Sequence, residues 1–510
     1  MNNSASKNNN HLIIPIITFL YNSVSQLDTL QNYFYSLSQN PPSDMLLKKQ
    51  FREKIHIFRD SELTVLFKSE IGIKSLYYLL LSFLFWGLLW VIFHNYQNKG
   101  NIIDYSFWLT KTKGFYFFFK TEFILIVYSS LIVVLIQLVK FFSNKYSYIN
   151  YYFVLTIYSL IQICICIIVY FSFVGNDSSI AVNLAMGCEI GRIILKIHSY
   201  FREKMLYGFK QYHMKYILFN KTPNKDDIVE ISISKFNIEL KRFYYFFYCP
   251  SLIYRDTYPR LPKFRAKFFF SQLINLFFSL SYFYLLLVLF INSRIGKTHI
   301  KSYHSFPYFL QDCLRLSVPS TLILSICFCM ILHTWMNLWS ELLRHGDRRF
   351  YEDWWNCTNF SQYYRKWNII VHEWLYYYIY SDLIRMSLGK ISRQTAKMFV
   401  FGMSIFFHEF IVTLGIGFYY PILSIFFGGP GLLFTFIKTT KREFNVLFWI
   451  KMLIGPGIIL VLYIWEINLR DVFEFLSQNK QLEIKGIERI IPKIFLMYKT
   501  KYWKMILDVI

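Results

Sequence analysis

Long apolar runs alternate with short polar connections over most of the chain. Runs at 75–93, 122–139, 151–174, 268–291, 319–338, 398–418, 421–437 and 444–465 match the roughly 17–25 residues that a helix needs to cross hydrocarbon. They predict helices embedded in a bilayer. A ninth run, 180–197, carries Glu189, Arg192 and Lys196. Such charges usually face a bundle interior, so it is read as a polar-lined span in preference to a surface helix. The segment 367–384 is too polar at its start for a span and reads as an aromatic helix at the membrane interface.

The remaining pattern divides the chain into three parts: an Asn- and Ser-rich, largely disordered region at 1–60, a membrane-embedded region at 61–470, and a tail at 471–510. The apolar patch at 12–20 is too short to span and lacks the basic flank of a cleaved signal peptide, so the first span is expected to serve as the targeting signal. Residues 198–267 are hydrophilic and basic, the composition of a cytosolic loop. Pro250 and Pro259 enclose Tyr254-Arg255-Asp256-Thr257-Tyr258, which predicts a fixed, non-helical turn.

Composition agrees with this picture. The 510 residues are 55% hydrophobic and 21% aromatic, with a net charge of +24. The Lys and Arg lie largely in loops beside apolar runs, which points to membrane orientation and not to nucleic acid. With nine spans, the basic loops 140–145, 198–267, 341–366 and 438–442 all fall on the cytosolic side, and the tail falls in the lumen. Eight cysteines show no metal-ligand spacing with histidine and are expected to be buried thiols.

Candidate chemistry concentrates between Phe350 and His408. The stretch opens with Phe350-Tyr351-Glu352-Asp353-Trp354-Trp355-Asn356, continues through Tyr364, Trp367, Asn368 and His372, and ends at His408-Glu409 in an apolar run. His408 lies about ten residues into its span, or about 15 Å at helical rise. A neutral imidazole at mid-bilayer suits proton abstraction from a hydroxyl; a histidine paired with a neighbouring helix is the plainer reading. Val412 occupies the position of a second zinc-ligating histidine, so a zinc-protease motif fails. Asp353 and Asn356, beside two tryptophans, are expected to be desolvated and to need partners. Asn368 and His372 share a helical face, where an amide can hold an acyl carbonyl or join two helices. The tryptophans also suit an interfacial belt.

These motifs resemble the membrane-bound O-acyltransferases, in the branch that holds sterol and diacylglycerol acyltransferases. The heptapeptide from Phe350, the Trp367-Asn368 pair with His372, and His408-Glu409 carry the likeness over roughly residues 60–466. Tyr254 to Arg260, Asn356 through Arg365, and Lys196 to Glu203 look more like the sterol O-acyltransferases. The resemblance implies an all-α polytopic bundle of about nine spans with internal tunnels, multi-pass in the endoplasmic reticulum membrane and assembled as a homodimer or homotetramer. It also implies His408 as catalytic base and Asn368 as the group that orients the thioester. Phe350, Tyr351, Asp353, Trp354, Trp355 and Asn356 would shape the mouth of an acyl-CoA path lined by Tyr364, Trp367, Arg393 and Ser404. Arg393 stands where a CoA-contacting Lys is expected, a change that keeps charge but not geometry. Acyl-CoA would be a co-substrate, with no cofactor or metal, and a sterol the acceptor. Diacylglycerol or a long-chain alcohol is the other acceptor class. A proton-coupled transporter and a sterol-binding protein without activity are the readings from other classes.

Overall fold

The computed structural model describes residues 56–69, 71–99, 114–142, 148–173, 178–219, 233–288, 305–386, 391–478 and 492–493. Residues 56–208 and 229–510 form one compact unit, to which all the packing below belongs. Residues 1–55 and 209–228 form another, described only over the helical residues 209–219. The expectations for the N-terminal region up to residue 55 and for most of the tail lie outside the described residues.

Nearly all described residues are helical, and no strand occurs among them. In chain order come α1 (Glu62–Ser69), α2 (Ile71–Lys99), α3 (Phe115–Phe142), α4 (Tyr148–Phe173), α5 (Ile180–Phe219), α6 (Ile233–Tyr248) and α7 (Ala266–Leu286). They are followed by α8 (Phe306–Leu342), which contains a π-helical stretch at Cys329–Trp335, then α9 (Phe360–Lys366) and α10 (Ile369–Trp374). A second π-helical stretch, Leu375–Tyr380, joins α10 to α11 (Ser381–Met386). The series ends with α12 (Arg393–Ile416), α13 (Ile422–Phe426), a π-helical turn at Phe427–Gly431, α14 (Leu432–Thr435) and α15 (Asn445–Gln478).

Five helices among the described residues are long and apolar enough to cross a membrane: Phe115–Ile136, Ala266–Leu286, Phe306–Leu342, Arg393–Ile416 and Arg442–Phe475. Shorter apolar helices lie at Tyr77–Phe93, Thr156–Val169 and Ile422–Thr435. Together these fall on the eight apolar runs. The run at 180–197 is the first half of α5 and does not join them, so a count of nine crossings does not follow from length and composition.

The basic stretch 198–267 departs from its reading as a loop. It is helical to Phe219 and again in α6. From His198 to Phe219 it contains one glycine and no proline, and Lys, Leu, Met, Arg, Glu and Gln recur through it, so nothing in the stretch breaks a helix. Among its described residues, the proline-bearing part, 249–265, leaves the helix, as expected.

Small residues set the closest crossings. A Cβ on Gly187 of α5 would sit 3.2 Å from the Ile411 carbonyl oxygen of α12, and one on Gly415 would overlap Leu184. The glycines therefore let the backbone of α5 approach the helix that carries His408. At another crossing, Gly457 brings α15 to within contact of the Cys313 and Ser317 backbone of α8. Thr321 Oγ1 donates to the Met452 carbonyl across the same pair at 2.8 Å.

Polar side chains tie the non-membrane segments together. Lys196, fully buried, donates to the carbonyls of Phe246 (2.5 Å) and Cys249 (2.6 Å). Ser199 donates to Leu252 O, and Trp374 Nε1 donates to Ser199 Oγ at 2.8 Å. The Lys-x-His-Ser stretch thus works as a junction between α5, the proline turn and α10. Asp347 accepts from His56 Nδ1 (2.9 Å) and Arg59 Nε (2.7 Å), and isolated β-bridges pair Arg59 with Asp347 and Arg260 with His345. Buried Glu341 accepts from Arg348 Nη2 at 2.6 Å and from Arg265 at 2.8 Å.

All eight cysteines are free thiols. Cys249, Cys313 and Cys357 are buried as expected, whereas Cys164 and Cys188 are exposed. Cys249 Sγ lies 3.2 Å from His345 Nδ1. Burial pushes the thiol up to about 12 and the imidazole down to about 3, so both stay neutral and the contact is an S–H···N bond, not an activated nucleophile.

Candidate active site

The segment from Phe350 to Asn356 is a frame built by its neighbours. Ile369 N–H donates to the Phe350 carbonyl and Glu352 N–H to the Lys366 carbonyl, each at 2.9 Å, so the segment runs beside the α9–α10 junction. Phe350, Tyr351 and Trp354 are buried. The Tyr351 hydroxyl is 2.6 Å from His333 Nδ1 in the first π-helical stretch, and Asn337 in the next turn donates to Ser61 Oγ at 2.9 Å. The Trp354 ring lies 4.7 Å from Trp367, 5.2 Å from Phe328 and 5.9 Å from Trp449. Half-buried Trp355 meets Trp354 edge-on, and its carbonyl accepts from Asn445 Nδ2 at 3.0 Å. The tryptophans of the motif thus pack against α8 and α15 around a shared aromatic core.

Its polar residues differ in fate. Asp353 accepts from Lys366 Nζ at 2.6 Å. Burial alone would lower the Lys366 ammonium, yet the Asp353 carboxylate prevails and holds it above its ordinary range. Asn356 is exposed, with only a long 3.4 Å contact to Asp353. It is not desolvated, because the 3-10 turn at Trp354–Asn356 points Trp354 inward and leaves Asn356 at its outer end.

Asn368 caps α10. Its side-chain oxygen accepts from Val371 N–H at 3.2 Å. The oxygen being committed to the cap, the amide nitrogen is the group left to act, and it can only donate. Asn368 and His372 are joined by the first backbone bond of α10, 3.0 Å. A cleft of about 410 Å³ opens beside this helix, lined by Arg349, Gln362, Arg365, Lys366, His372 and Tyr376 among others. Arg349 is paired with Glu352, whereas Arg365 donates to the Ser361 carbonyl and has no carboxylate partner among the described residues. Burial depresses the His372 imidazole, favouring its neutral form.

His408 lies on α12, whose start is capped by Ser392 accepting from Thr395 N–H at 3.0 Å and whose end is marked by Gly417 in the left-handed region, φ 80°. Arg393 is the first residue of this helix, exposed and without an ion-pair partner among the described residues. It stands 15 residues before His408, about 22 Å at helical rise. Contrary to the expectation of a buried ring, His408 is exposed. Among the described residues one ring, Phe427, stacks on it, at 5.6 Å and 24°. Its Nδ1 lies 2.7 Å from the Ser404 carbonyl oxygen. A carbonyl only accepts, so Nδ1 carries the proton, and in the neutral ring Nε2 keeps its lone pair. Ser404 therefore acts through its main chain, by fixing the tautomer.

Tyr364 reaches the same place. Its ring lies 5.6 Å from Phe401 of α12 and 6.4 Å from Phe427, and burial pushes its hydroxyl up to about 12. Tyr364 and His408 are thus brought together through Phe427, while Asn368 makes no hydrogen bond to His408 among the described residues. Sequence reasoning missed Phe427, Phe401 and Lys366. The Gly428-Gly429-Pro430-Gly431 cluster inside an apolar run was the available signal for the turn that presents Phe427.

The sequence model of the membrane-bound O-acyltransferase family matches residues 74–465. Sterol O-acyltransferase 1 of Mus musculus is 34% identical over 285 residues, covering 54% of this chain and 48% of that protein. Sterol O-acyltransferase 2 of Homo sapiens is 37% identical over 234 residues, covering 44% of this chain and 43% of that protein. The matched region therefore spans about half the length of these curated relatives. With the family match running through both the aromatic frame and the helix of His408, this chain belongs to the membrane-bound O-acyltransferase family.

Proposed function

We propose that the chain esterifies a sterol 3-hydroxyl with the acyl group of a long-chain acyl-CoA. The observation that carries this reading is the state of His408: Nδ1 anchored on Ser404 O, Nε2 available, and the ring exposed in the middle of a membrane helix. Nε2 takes the hydroxyl proton as the oxygen attacks the thioester carbonyl carbon. The C–O bond forms, the C–S bond breaks, and CoA leaves as thiolate and recovers the proton from the imidazolium. The Asn368 amide nitrogen donates to the carbonyl oxygen as negative charge develops on it. Both partners of the reaction are lipids or carry lipid tails, which suits a base that faces hydrocarbon.

The cleft by α10 suits the phosphorylated CoA head, with Arg365 offering a guanidinium not already paired to a carboxylate. Tyr364, Trp367 and Arg393 would line the path of the chain and the head. The same reading takes the protein to be a multi-pass protein of the endoplasmic reticulum membrane, a homodimer or homotetramer, needing no metal or bound cofactor. The sterol assignment is supported by the names of the relatives; diacylglycerol or a long-chain alcohol is the other acceptor class.

Expression in a host without neutral-lipid synthesis, supplied with labelled oleoyl-CoA and either cholesterol or diacylglycerol, tests this. Steryl ester from the wild type, with activity lost in His408→Ala and strongly reduced in Asn368→Ala, is expected. Triacylglycerol without steryl ester would select the other acceptor. Equal ester from wild type and His408→Ala would remove the base.

A further inference from the structure

His408 is held at one edge only. The Nδ1 bond to Ser404 O fixes that edge, but an exposed imidazole is otherwise free to rock about it. Phe427 removes that freedom by lying nearly parallel to the ring. Its own placement is over-determined. The adjacent residue to the base, Glu409, is buried and accepts from both the backbone N–H and the hydroxyl of Ser424, each at 2.8 Å. That pins α13 onto α12 three residues before Phe427. After Phe427 the backbone turns through a π-helical segment, where Gly431 lies close to the Tyr364 hydroxyl and Gly428 sits near Ile405 of α12.

We infer that Phe427 is a positioning residue for the acyl transfer: its ring clamps the imidazole so that Nε2 stays aimed at the acceptor hydroxyl, and it separates the base from Tyr364. The inference rests on His408 being the base. It assigns Phe427 no bond-making step. Glu409 serves the same end from a distance, by holding the turn down.

The test uses the full chain in detergent or nanodiscs and compares Phe427→Leu, Phe427→Met and Phe427→Tyr with the wild type, measuring steryl ester per folded protein. Phe427→Leu and Phe427→Met are expected to lower kcat on the order of ten- to hundredfold, with KM for oleoyl-CoA and for cholesterol within about twofold of the wild type. Phe427→Tyr, which keeps a flat ring, is expected to retain at least about half of kcat. Full kcat in Phe427→Met, or no better activity in Phe427→Tyr than in Phe427→Leu, would overturn the clamp. So would a loss that falls on KM. If the wild type makes ester and His408→Ala does not, such results sink the clamp alone; ester from His408→Ala sinks the base and the clamp together.

Discussion

The aromatic frame at 350–374 and the site around His408 are built on opposite plans. The frame is locked several times over: Trp354 lies among five other rings, Tyr351 is bonded to His333, and two backbone bonds fasten the segment to the α9–α10 junction. His408 has one backbone acceptor and one stacked ring. The difference teaches that the motif richest in recognisable residues supplies rigidity, while the group proposed to react stands where a lipid can reach it. Close packing resists any change of shape, and an open face is needed for turnover.

If the frame is structural, truncating it should cost most. Trp354→Ala is expected to destabilise the protein by about 3–5 kcal/mol, read as a fall in thermal midpoint in detergent. A change too small to measure would break the contrast. Acidification should act on the frame's supports next. Burial holds His345 down to about 3, so below the unfolded value of about 6.5 the unfolded chain binds a proton that the folded one refuses. Stability should fall as pH drops from 6.5, by up to about 1.4 kcal/mol per pH unit from this residue, and His345→Asn should flatten that slope.

Smaller effects sharpen the comparison. The Asp353–Lys366 pair is partly exposed, and a double-mutant cycle should give a coupling below about 1 kcal/mol. A larger value would move Asp353 from the frame's surface into its core. Arg393→Ala is expected to raise KM for acyl-CoA by roughly two- to fivefold, with KM for the sterol unchanged, as a rim charge does. The smallest stability effect belongs to the residue with the largest catalytic one: His408→Ala should shift folding stability by less than about 0.5 kcal/mol while abolishing ester formation.

Much of this was legible in the chain. Eight apolar runs marked the apolar helices, five of them long enough to cross a membrane, and Pro250 and Pro259 marked the one irregular stretch between α6 and α7, because length and ring geometry are local properties. The heptapeptide from Phe350 and the His408-Glu409 pair marked the candidate site. What could not be read was decided by tertiary packing. Whether 198–219 continued as helix depended on propensity that the many charges obscured, and whether His408 was enclosed depended on which helices pack beside α12. Asn356 stood next to two tryptophans in sequence yet faces outward, since a 3-10 turn separates neighbours in space. Phe427 carried no chemistry of its own and acquires its role only from the ring it covers.

Gly187 and Gly415 finally bear on where the chemistry sits. At that crossing Gly187 faces the Ile411 backbone and Gly415 faces the Leu184 side chain, so the spacing of α5 and α12, and with it the placement of the imidazole, depends on two positions that carry no Cβ. One methyl group added at Gly187 would be a shim under the rod that carries His408, displacing it along or away from its neighbour without altering the imidazole itself.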